Sequence, residues 1–281
     1  MIRLTIQIDE AVYGIGWIDA QQKQVLLNSA VVRWREDVCA CAPSLCLLCE
    51  GASPDAVLAQ LADELHGMGH IGWRGELYAV REETKDEPIA LIERAAAKFL
   101  GLKTVGAHCN GFIVDHRGRP SHLWVGKRAS SKATDPGLLD NLVGCGVPWP
   151  QTPDEAVIRE GWEEAGLSAS CMQQALLRNV YQVDRQDAGG QHRQRLYVYD
   201  LALPREVEPQ NQDGEVDAYF LLAIQEIVVG LKMARFTADA AITTLDFLQR
   251  HALIGTPSPE NGLDEVWRRS VGAVSTCGSG R

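Results

Sequence analysis

Residues 144–167 read GCGVPWPQTPDEAVIREGWEEAGL, and this stretch decides the fold class. Its second half predicts a helix at residues 153–165 whose two ends are specified by local chemistry. Thr152 can cap the first turn, and Glu155, three residues later, completes a capping box. Gly166 can end the helix in the left-handed conformation.

Three carboxylates occupy one face of this predicted helix. Glu160, Glu163 and Glu164 stand at positions i, i+3 and i+4, which are neighbours on a helix surface. Like charges at this spacing destabilise a helix by about 0.2–0.5 kcal/mol per pair, so helix stability does not explain them. A divalent cation would relieve the repulsion, because Mg²⁺ and Mn²⁺ prefer carboxylate oxygen and water. The alternative is a solvated acidic face, which is the usual structure for a run of charges.

The residues around these carboxylates favour the metal site. Residues 159–167, REGWEEAGL, resemble the second half of the Nudix box, G-x5-E-x7-R-E-U-x-E-E-x-G-U, where U is a bulky aliphatic residue. The resemblance implies a hydrolase of diphosphate bonds with Mg²⁺ or Mn²⁺ as cofactor, bound by Glu160, Glu163 and Glu164. Together with Arg159, these glutamates are the implied catalytic residues. The metal would polarise a phosphoryl oxygen and lower the pKa of an attacking water.

Three positions depart from the family pattern. Cys145 replaces the first glycine, and Gln151 replaces the first glutamate, which in the family typically pairs with the box arginine. We expect Gln151 to position Arg159 more weakly, through a hydrogen bond without charge assistance. Gly161 replaces the aliphatic residue and weakens a helix interior by up to about 1 kcal/mol. The first two departures favour an alternative function, a ligand-binding module that kept the fold and lost turnover.

Six further segments carry a closer resemblance: 72–78 (GWRGELY), 92–96 (IERAA), 108–112 (HCNGF), 123–128 (LWVGKR), 135–141 (DPGLLDN) and 197–201 (YVYDL). They resemble a Nudix subfamily with an extra N-terminal domain that is often labelled thiamine-pyrophosphokinase-related. This implies thiamine diphosphate or its oxidised analogues as substrate. The label implies no kinase, because the chain lacks a Gly-x4-Gly-Lys-Ser/Thr phosphate loop. ADP-ribose or a dinucleotide is the alternative substrate for the same chemistry.

Five residues outside the box are candidates for the general base and for substrate contacts. Glu215 lies just before the last predicted strand, where Nudix proteins commonly place a loop glutamate that acts as ligand or base. Lys127 and Arg128 end a predicted strand, and their charges suit a diphosphate; ordinary solvated charge is the alternative. Asn110 and Asp140 are candidates for shaping the substrate pocket.

Three aromatic side chains are weaker candidates. Trp73 and Trp124 can stack on a heteroaromatic ring, although tryptophan more often belongs to a core. His108 is interpreted as a core histidine with satisfied hydrogen bonds rather than as a metal ligand.

Four cysteines lie close together in the sequence, at Cys39, Cys41, Cys46 and Cys49. Thiolates at such spacing can bind zinc. Their apolar neighbours, and the lack of two separated cysteine pairs, favour buried free cysteines instead.

Charge and composition restrict the partners. The formal net charge is −10, which argues against nucleic acid or an anionic membrane as a partner. A small diphosphate substrate remains compatible, because a metal ion reverses the local charge. The first residues lack the apolar core of a signal peptide, and no apolar run reaches the roughly 20 residues that span a bilayer. We expect a cytoplasmic protein with reduced cysteines, and a homodimer is compatible with the sequence.

The chain length of 281 residues predicts two domains, an N-terminal α+β accessory domain at 1–102 and a Nudix hydrolase domain at 103–281. The resemblance implies the α+β class, with an α/β/α sandwich around a mixed central sheet. Strands are predicted at 13–18, 73–80, 106–114, 121–127, 196–201 and 219–222, and helices at 53–66, 88–100, 153–165, 224–233 and 237–251.

Overall fold

The computed structural model describes residues 1–30, 33–38, 43–187, 190–272 and 275–276. These residues form two compact units. Unit 1 comprises Met1–Thr104, Pro148–Gln151 and Asp184–Gln194, and unit 2 comprises the remaining described residues. The main boundary between the two units therefore follows Thr104. Two later segments also belong to unit 1, so a single boundary in the sequence does not describe the division. Within the described ranges, no helix is long and apolar enough to cross a membrane.

Unit 1 is built on a four-stranded sheet of order β2-β1-β4-β3, in which β1 is antiparallel to β2 and parallel to β4. Its strands and two larger helices are β1 (Ile2–Ile8), β2 (Ala11–Ile18), α1 (Ala20–Leu27), β3 (Arg33–Val38), β4 (Pro43–Leu48) and α2 (Pro54–Gly67). β2 and α2 confirm the elements predicted at 13–18 and 53–66. Ser53 caps α2 by accepting a hydrogen bond from the Ala56 N–H at 3.2 Å. Cys46 is buried in β4 and Cys49 is half-buried, whereas Cys39 and Cys41 lie outside the described residues.

Residues 88–100 do not form the single helix that the sequence predicts. β6 (Pro88–Glu93) pairs antiparallel with β5 (Leu77–Arg81), and the short helix α3 (Arg94–Phe99) follows it. The Glu93 carboxylate caps α3 by accepting hydrogen bonds from two backbone N–H groups of its first turn. Strand pairing and this cap override the helical period of the apolar residues, because partners distant in sequence stabilise the extended backbone.

The strand predicted at 73–80 begins only at Leu77. Gly75 has φ +77°, which interrupts an extended strand. The buried carboxylate of Glu93 accepts a hydrogen bond from the Arg74 N–H at 2.7 Å and holds the preceding loop in place.

The larger sheet has eight strands, in the order β13-β8-β7-β12-β11-β14, with β10 paired to β7 and β9 paired to β8. The strands are β7 (Lys103–Val114), β8 (Pro120–Arg128), β9 (Leu139–Asp140), β10 (Val143–Gly146), β11 (Leu176–Asp187), β12 (Gly190–Ala202), β13 (Val216–Ala223) and β14 (Ser275–Thr276). The strands predicted at 106–114, 121–127 and 196–201 are confirmed. β13 contains the strand predicted as the last, but β14 follows it and pairs with β11.

Helices cover both faces of this sheet. They are α4 (Pro153–Glu163), α5 (Ala169–Met172), α6 (Ile224–Lys232), α7 (Ala238–Arg250) and α8 (Asp264–Val271). Alternate residues of β8 face opposite sides: Trp124 packs in a core with Ala156 and Val157 of α4. Leu123 and Val125 pack with α6 and α7 in a second core. The helix–sheet–helix layers and the α+β class are therefore confirmed.

Candidate functional site

Helix α4 carries the three predicted metal ligands, and its ends form as predicted. The Thr152 hydroxyl accepts a hydrogen bond from the Glu155 N–H at 3.3 Å, and Glu155 Oε2 accepts one from the Thr152 N–H at 2.8 Å. The hydrogen bonds that Glu155 Oε2 accepts from the N–H and the hydroxyl of Thr152 hold the pKa of Glu155 below its usual range. Gly166 follows the helix with φ +65°. The helix register is thus set locally, and it places the carboxylates on one face.

Glu164 is buried in an environment that disfavours its charge. Its side chain accepts a hydrogen bond from the Gly144 N–H at 3.1 Å. Burial, followed by the nearby carboxylates of Glu160 and Asp140, raises the pKa of Glu164 to about 8. An ionised Glu164 is therefore compensated only in part, because the nearby ammonium of Lys132 lowers its pKa less than burial and the carboxylates raise it.

Arg159 holds the other two glutamates of the helix. Its Nη2 donates to Glu160 Oε1 at 2.7 Å, and its Nη1 donates to Glu163 Oε2 at 2.5 Å. The sequence predicts Gln151 as the partner that positions this arginine, whereas the described contacts join Arg159 to two carboxylates of its own helix. Glu160 and Glu163 thus share the single positive charge of one guanidinium.

The donor set fits a hard divalent cation in its chemistry but is not preassembled. In the described part of the chain, no three His, Cys, Asp or Glu side chains are grouped so that they could hold a metal ion. The glutamates supply carboxylate oxygens, which Mg²⁺ and Mn²⁺ prefer, and the positive charge near the buried Glu164 does not offset its burial. A cation bound through Glu160 Oε1 or Glu163 Oε2 would compete with Arg159 for that oxygen.

Asp140 and Arg128 form an ion pair beside Glu164. Arg128 Nη1 donates to Asp140 Oδ2 at 2.8 Å, and its Nη2 donates to the Thr134 carbonyl at 2.9 Å. Asp140 is buried, and its charge contributes to the raised pKa of Glu164. The structure thus brings these two predicted substrate residues to the carboxylates of α4.

Lys132 and Glu215 form a second ion pair near the same carboxylates. Glu215, the predicted base, is exposed and immediately precedes β13. The Lys132 ammonium is close enough to Glu164 to oppose the rise of its pKa. The sequence does not single out Lys132, because one lysine in a loop rich in glycine, proline and serine carries no distinguishing pattern.

Lys127 does not share this site with Arg128. Successive residues of a strand point to opposite faces, and Lys127 pairs with Leu139, whose side chain packs in the core of α6 and α7. Lys127 is exposed. The structure therefore separates the two cations that the sequence places together.

Asn110 lies in the protein interior, where it is 1% exposed. Its Nδ2 donates to Asp200 Oδ1 at 3.1 Å and to the Thr243 carbonyl at 3.3 Å. Its Oδ1 accepts a hydrogen bond from Asn141 Nδ2 at 3.0 Å. Because its polar atoms are used within the protein, the position of Asn110 opposes the direct substrate contact predicted for it.

The aromatic candidates occupy different environments. His108 is buried, with Nδ1 2.8 Å from Asn141 Oδ1, and Trp124 is buried in the core against α4. Trp73, in contrast, is 47% exposed in unit 1, so its interpretation as a core residue is wrong. Its ring centroid lies 5.8 Å from that of His66.

Gly161 has a structural explanation that the family pattern does not supply. A Cβ at this position would lie 2.5 Å from Cγ of Met172, which is buried and ends α5. Met172 therefore fills the space that the aliphatic residue of the family pattern would occupy. This departure reflects a compensating contact between α4 and α5.

Sequence comparisons match both parts of the chain. Residues 105–245 match the NUDIX domain, and residues 15–104 match a domain of unknown function, DUF4743. The chain is 37% identical over 199 residues to Nudix hydrolase 24, chloroplastic, of Arabidopsis thaliana, an alignment that covers 70% of this chain and 53% of that protein. It is 36% identical over 199 residues to Nudix hydrolase 20, chloroplastic, of the same plant, an alignment that covers 70% of this chain and 52% of that protein. The chain thus spans about half the length of these curated relatives.

Solved structures give weaker similarities. DR0079 from Deinococcus radiodurans aligns with a TM-score of 0.42 and 19% identity, covering 57% of this chain and 91% of that one. MutT protein from Methanosarcina mazei Go1 aligns with a TM-score of 0.38 and 18% identity, covering 54% and 94%.

Proposed function

Because this chain belongs to the Nudix family, we propose that it is a divalent-metal-dependent hydrolase that cleaves the diphosphate bond of a small compound. The observation that carries the proposal is the burial of Glu164 beside Glu160 and Asp140, where the positive charge of Lys132 offsets only part of what disfavours an ionised Glu164. Bound at this site, Mg²⁺ or Mn²⁺ would supply the remaining positive charge, polarise a phosphoryl oxygen and lower the pKa of an attacking water.

The residues of α4 would hold the cation. Glu160, Glu163 and Glu164 are the proposed ligands, and Arg159, which pairs with the first two, would share or release their oxygens when a cation binds. The lack of a preassembled ligand group among the described residues supports a site that forms on metal binding rather than before it.

Arg128 is the proposed diphosphate-binding residue. Its planar guanidinium can donate two parallel hydrogen bonds to phosphate oxygens. In the free protein it is held by Asp140 and by a loop carbonyl. Substrate binding would exchange these bonds for bonds to the phosphates, and Lys127 takes no part because it lies on the other face.

Glu215 is the proposed general base. Its carboxylate is exposed, so it can reach a water, and its ion-pair partner Lys132 is close enough to Glu164 to oppose the rise of its pKa. Proton transfer from the attacking water to this carboxylate would complete the activation of the nucleophile.

Thiamine diphosphate and its oxidised analogues are the first substrates to test. This choice rests on the resemblance of the six sequence segments, because the family match extends to the NUDIX domain but not to the thiamine-related subfamily. ADP-ribose and dinucleotides are the second group, since they offer the same bond to the same chemistry.

A phosphate-release screen over these compounds, with Mg²⁺ or Mn²⁺, tests the proposal. Glu164→Gln is expected to lower kcat/KM by at least about 100-fold, because the stabilisation that a metal provides is worth several kcal/mol. The matched control is Glu155→Gln, which neutralises an exposed glutamate in the first turn of the same helix and should stay within about twofold of wild type.

Two results would contradict the proposal. Unchanged turnover in Glu164→Gln would show that the metal site is elsewhere. If no compound is cleaved while one of them raises the melting temperature, the chain is a ligand-binding module and not a hydrolase.

A further inference from the structure

Asn141 joins three elements of unit 2 at the border of the candidate site. It follows β9 and is 3% exposed. Its Nδ2 donates to Asn110 Oδ1 of β7 at 3.0 Å and to Thr244 Oγ1 of α7 at 3.1 Å. Its Oδ1 lies 2.8 Å from Nδ1 of His108, and its N–H donates to Asp140 Oδ1 at 3.0 Å. The side chain therefore links the wall of the site to helix α7.

Asp200, Asn110, Asn141 and His108 form a row of hydrogen bonds, and the donor and acceptor in each bond follow from Asp200. Its carboxylate is paired with Arg250 at 2.6 Å and accepts a hydrogen bond from Asn110 Nδ2. The Oδ1 of Asn110 must then accept from Asn141 Nδ2, which leaves the Oδ1 of Asn141 facing His108. A carbonyl oxygen only accepts, so Nδ1 of His108 carries the proton, and a neutral ring keeps an unshared electron pair on Nε2.

The polar contacts of the His108 ring lie at Nδ1, which is 2.8 Å from Asn141 Oδ1 and 3.5 Å from Asp140 Oδ1. Among the described residues, Nε2 has no hydrogen-bond partner. A Cβ at Gly144 would lie 2.9 Å from Cε1 of His108 and 2.7 Å from Oδ1 of Asp140. The N–H of the same glycine donates to Glu164. Glycine at this position therefore lets the His108 ring and the Asp140 carboxylate pack directly against the backbone of the residue that binds Glu164.

We infer that Asn141 is a positioning residue that holds the His108 proton on Nδ1, so that Nε2 accepts a hydrogen bond from an N–H or O–H group of the substrate. The inference rests on the proposed function, since it concerns the same site. It narrows the substrate to diphosphates that also carry an N–H or O–H donor, such as a ribose hydroxyl or the amino group of an aminopyrimidine. Thr244 of α7 takes part by orienting the Asn141 amide.

Two adjacent threonines of α7 allow a matched kinetic test. Thr243 and Thr244 are both 0% exposed, but the Thr243 hydroxyl donates to the Asp239 carbonyl of its own helix at 2.9 Å, whereas Thr244 accepts from Asn141. With a diphosphate found in the screen, Thr244→Val should lower kcat/KM by about two- to tenfold, the effect of one hydrogen bond. Thr243→Val should remain close to wild type, and Thr244→Ser, which keeps the hydroxyl, should do the same.

A spectroscopic measurement tests the tautomer without any turnover. Nitrogen-15 correlation spectra of the free protein, recorded at about pH 8 where an ordinary histidine is neutral, distinguish a protonated from an unprotonated ring nitrogen. The chain has 7 histidines, and the signal lost in His108→Gln identifies the one of interest. The expected result is a protonated Nδ1 and an unprotonated Nε2, with the other tautomer increased in Thr244→Val.

The outcomes separate this inference from the proposed function. Equal effects of Thr244→Val and Thr243→Val on kcat/KM, or a proton found on Nε2, would overturn the role of Asn141 while leaving the hydrolase proposal intact. If no compound is turned over, the hydrolase proposal fails. The tautomer measured in the free protein then decides the inference alone.

Discussion

Two groups of buried carboxylates in unit 2 differ in how their charge is compensated. Asp200 and Asp246 are each 3% exposed, and Arg250 donates to both at 2.6 Å, while the Tyr181 hydroxyl donates to Asp246 at 2.7 Å. Glu164 accepts a hydrogen bond from a backbone N–H, and its burial, followed by the neighbouring carboxylates, raises its pKa in spite of Lys132. The first group stabilises the fold, whereas a buried carboxyl group with a strongly shifted pKa is typical of a functional site.

Removing the positive charge of Arg250 from Asp200 and Asp246 should lower the free energy of unfolding more than any other change tested here. Arg250→Met removes the paired cation of the buried Asp246 and leaves Asp200 with the more distant Arg178, at 3.5 Å. Losing one partner of a buried ion pair costs about 3–5 kcal/mol. Urea unfolding measures this loss. The control is Arg268→Met, since its ion pair with Asp264 is exposed and should contribute less than about 1 kcal/mol. Similar losses in the two variants would contradict the distinction.

The second group should make stability depend on pH in the metal-free protein. The folded state raises the pKa of Glu164 from 4.5 to about 8, so it keeps a proton that the unfolded chain releases between these values. The stability that this proton contributes is fully present below about pH 4.5 and is lost as the pH rises to about 8. Wild type should therefore lose up to about 1.4 kcal/mol per pH unit relative to Glu164→Gln in this window. Urea unfolding with a chelator present checks this, and parallel pH profiles for the two proteins would refute it.

Adding Mg²⁺ should change the stability of the folded protein least. A metal that binds only the folded state stabilises it by about 0.8 kcal/mol at three times its dissociation constant. We expect Mg²⁺ to raise the melting temperature of wild type but not of Glu164→Gln, with NaCl at equal ionic strength as the control. An equal rise in both proteins would show that the binding of Mg²⁺ does not depend on the Glu164 carboxylate.

The elements predicted best are those specified by neighbouring residues. Helix α4 forms with its predicted capping box and its glycine end, because each contact joins residues only a few positions apart. The strands β7 and β8 were predicted equally well from their apolar and β-branched residues. Residues 88–100 show the limit of prediction from neighbouring residues. Their apolar residues recur with the period of a helix, but the pairing of β6 with β5 makes the first part of the segment a strand.

The candidate site contains contacts that no local pattern indicates. Asn141 reaches Asn110 and Thr244, which lie 31 and 103 positions away in the sequence. Lys132 meets Glu215 across 83 positions. Side chains so far apart become neighbours only when the sheet and its helices pack, so spacing in the sequence carries no information about them.

By itself, the sequence determined the helix that carries Glu160, Glu163 and Glu164 and the family to which its box belongs, because both depend on short, regular spacings. Only the tertiary structure decided which charges surround those glutamates. It placed Asp140 beside Glu164 and turned Lys127 away from Arg128. The physical reason is that burial and charge compensation are properties of the packed interior, where groups distant in sequence share a low-dielectric environment.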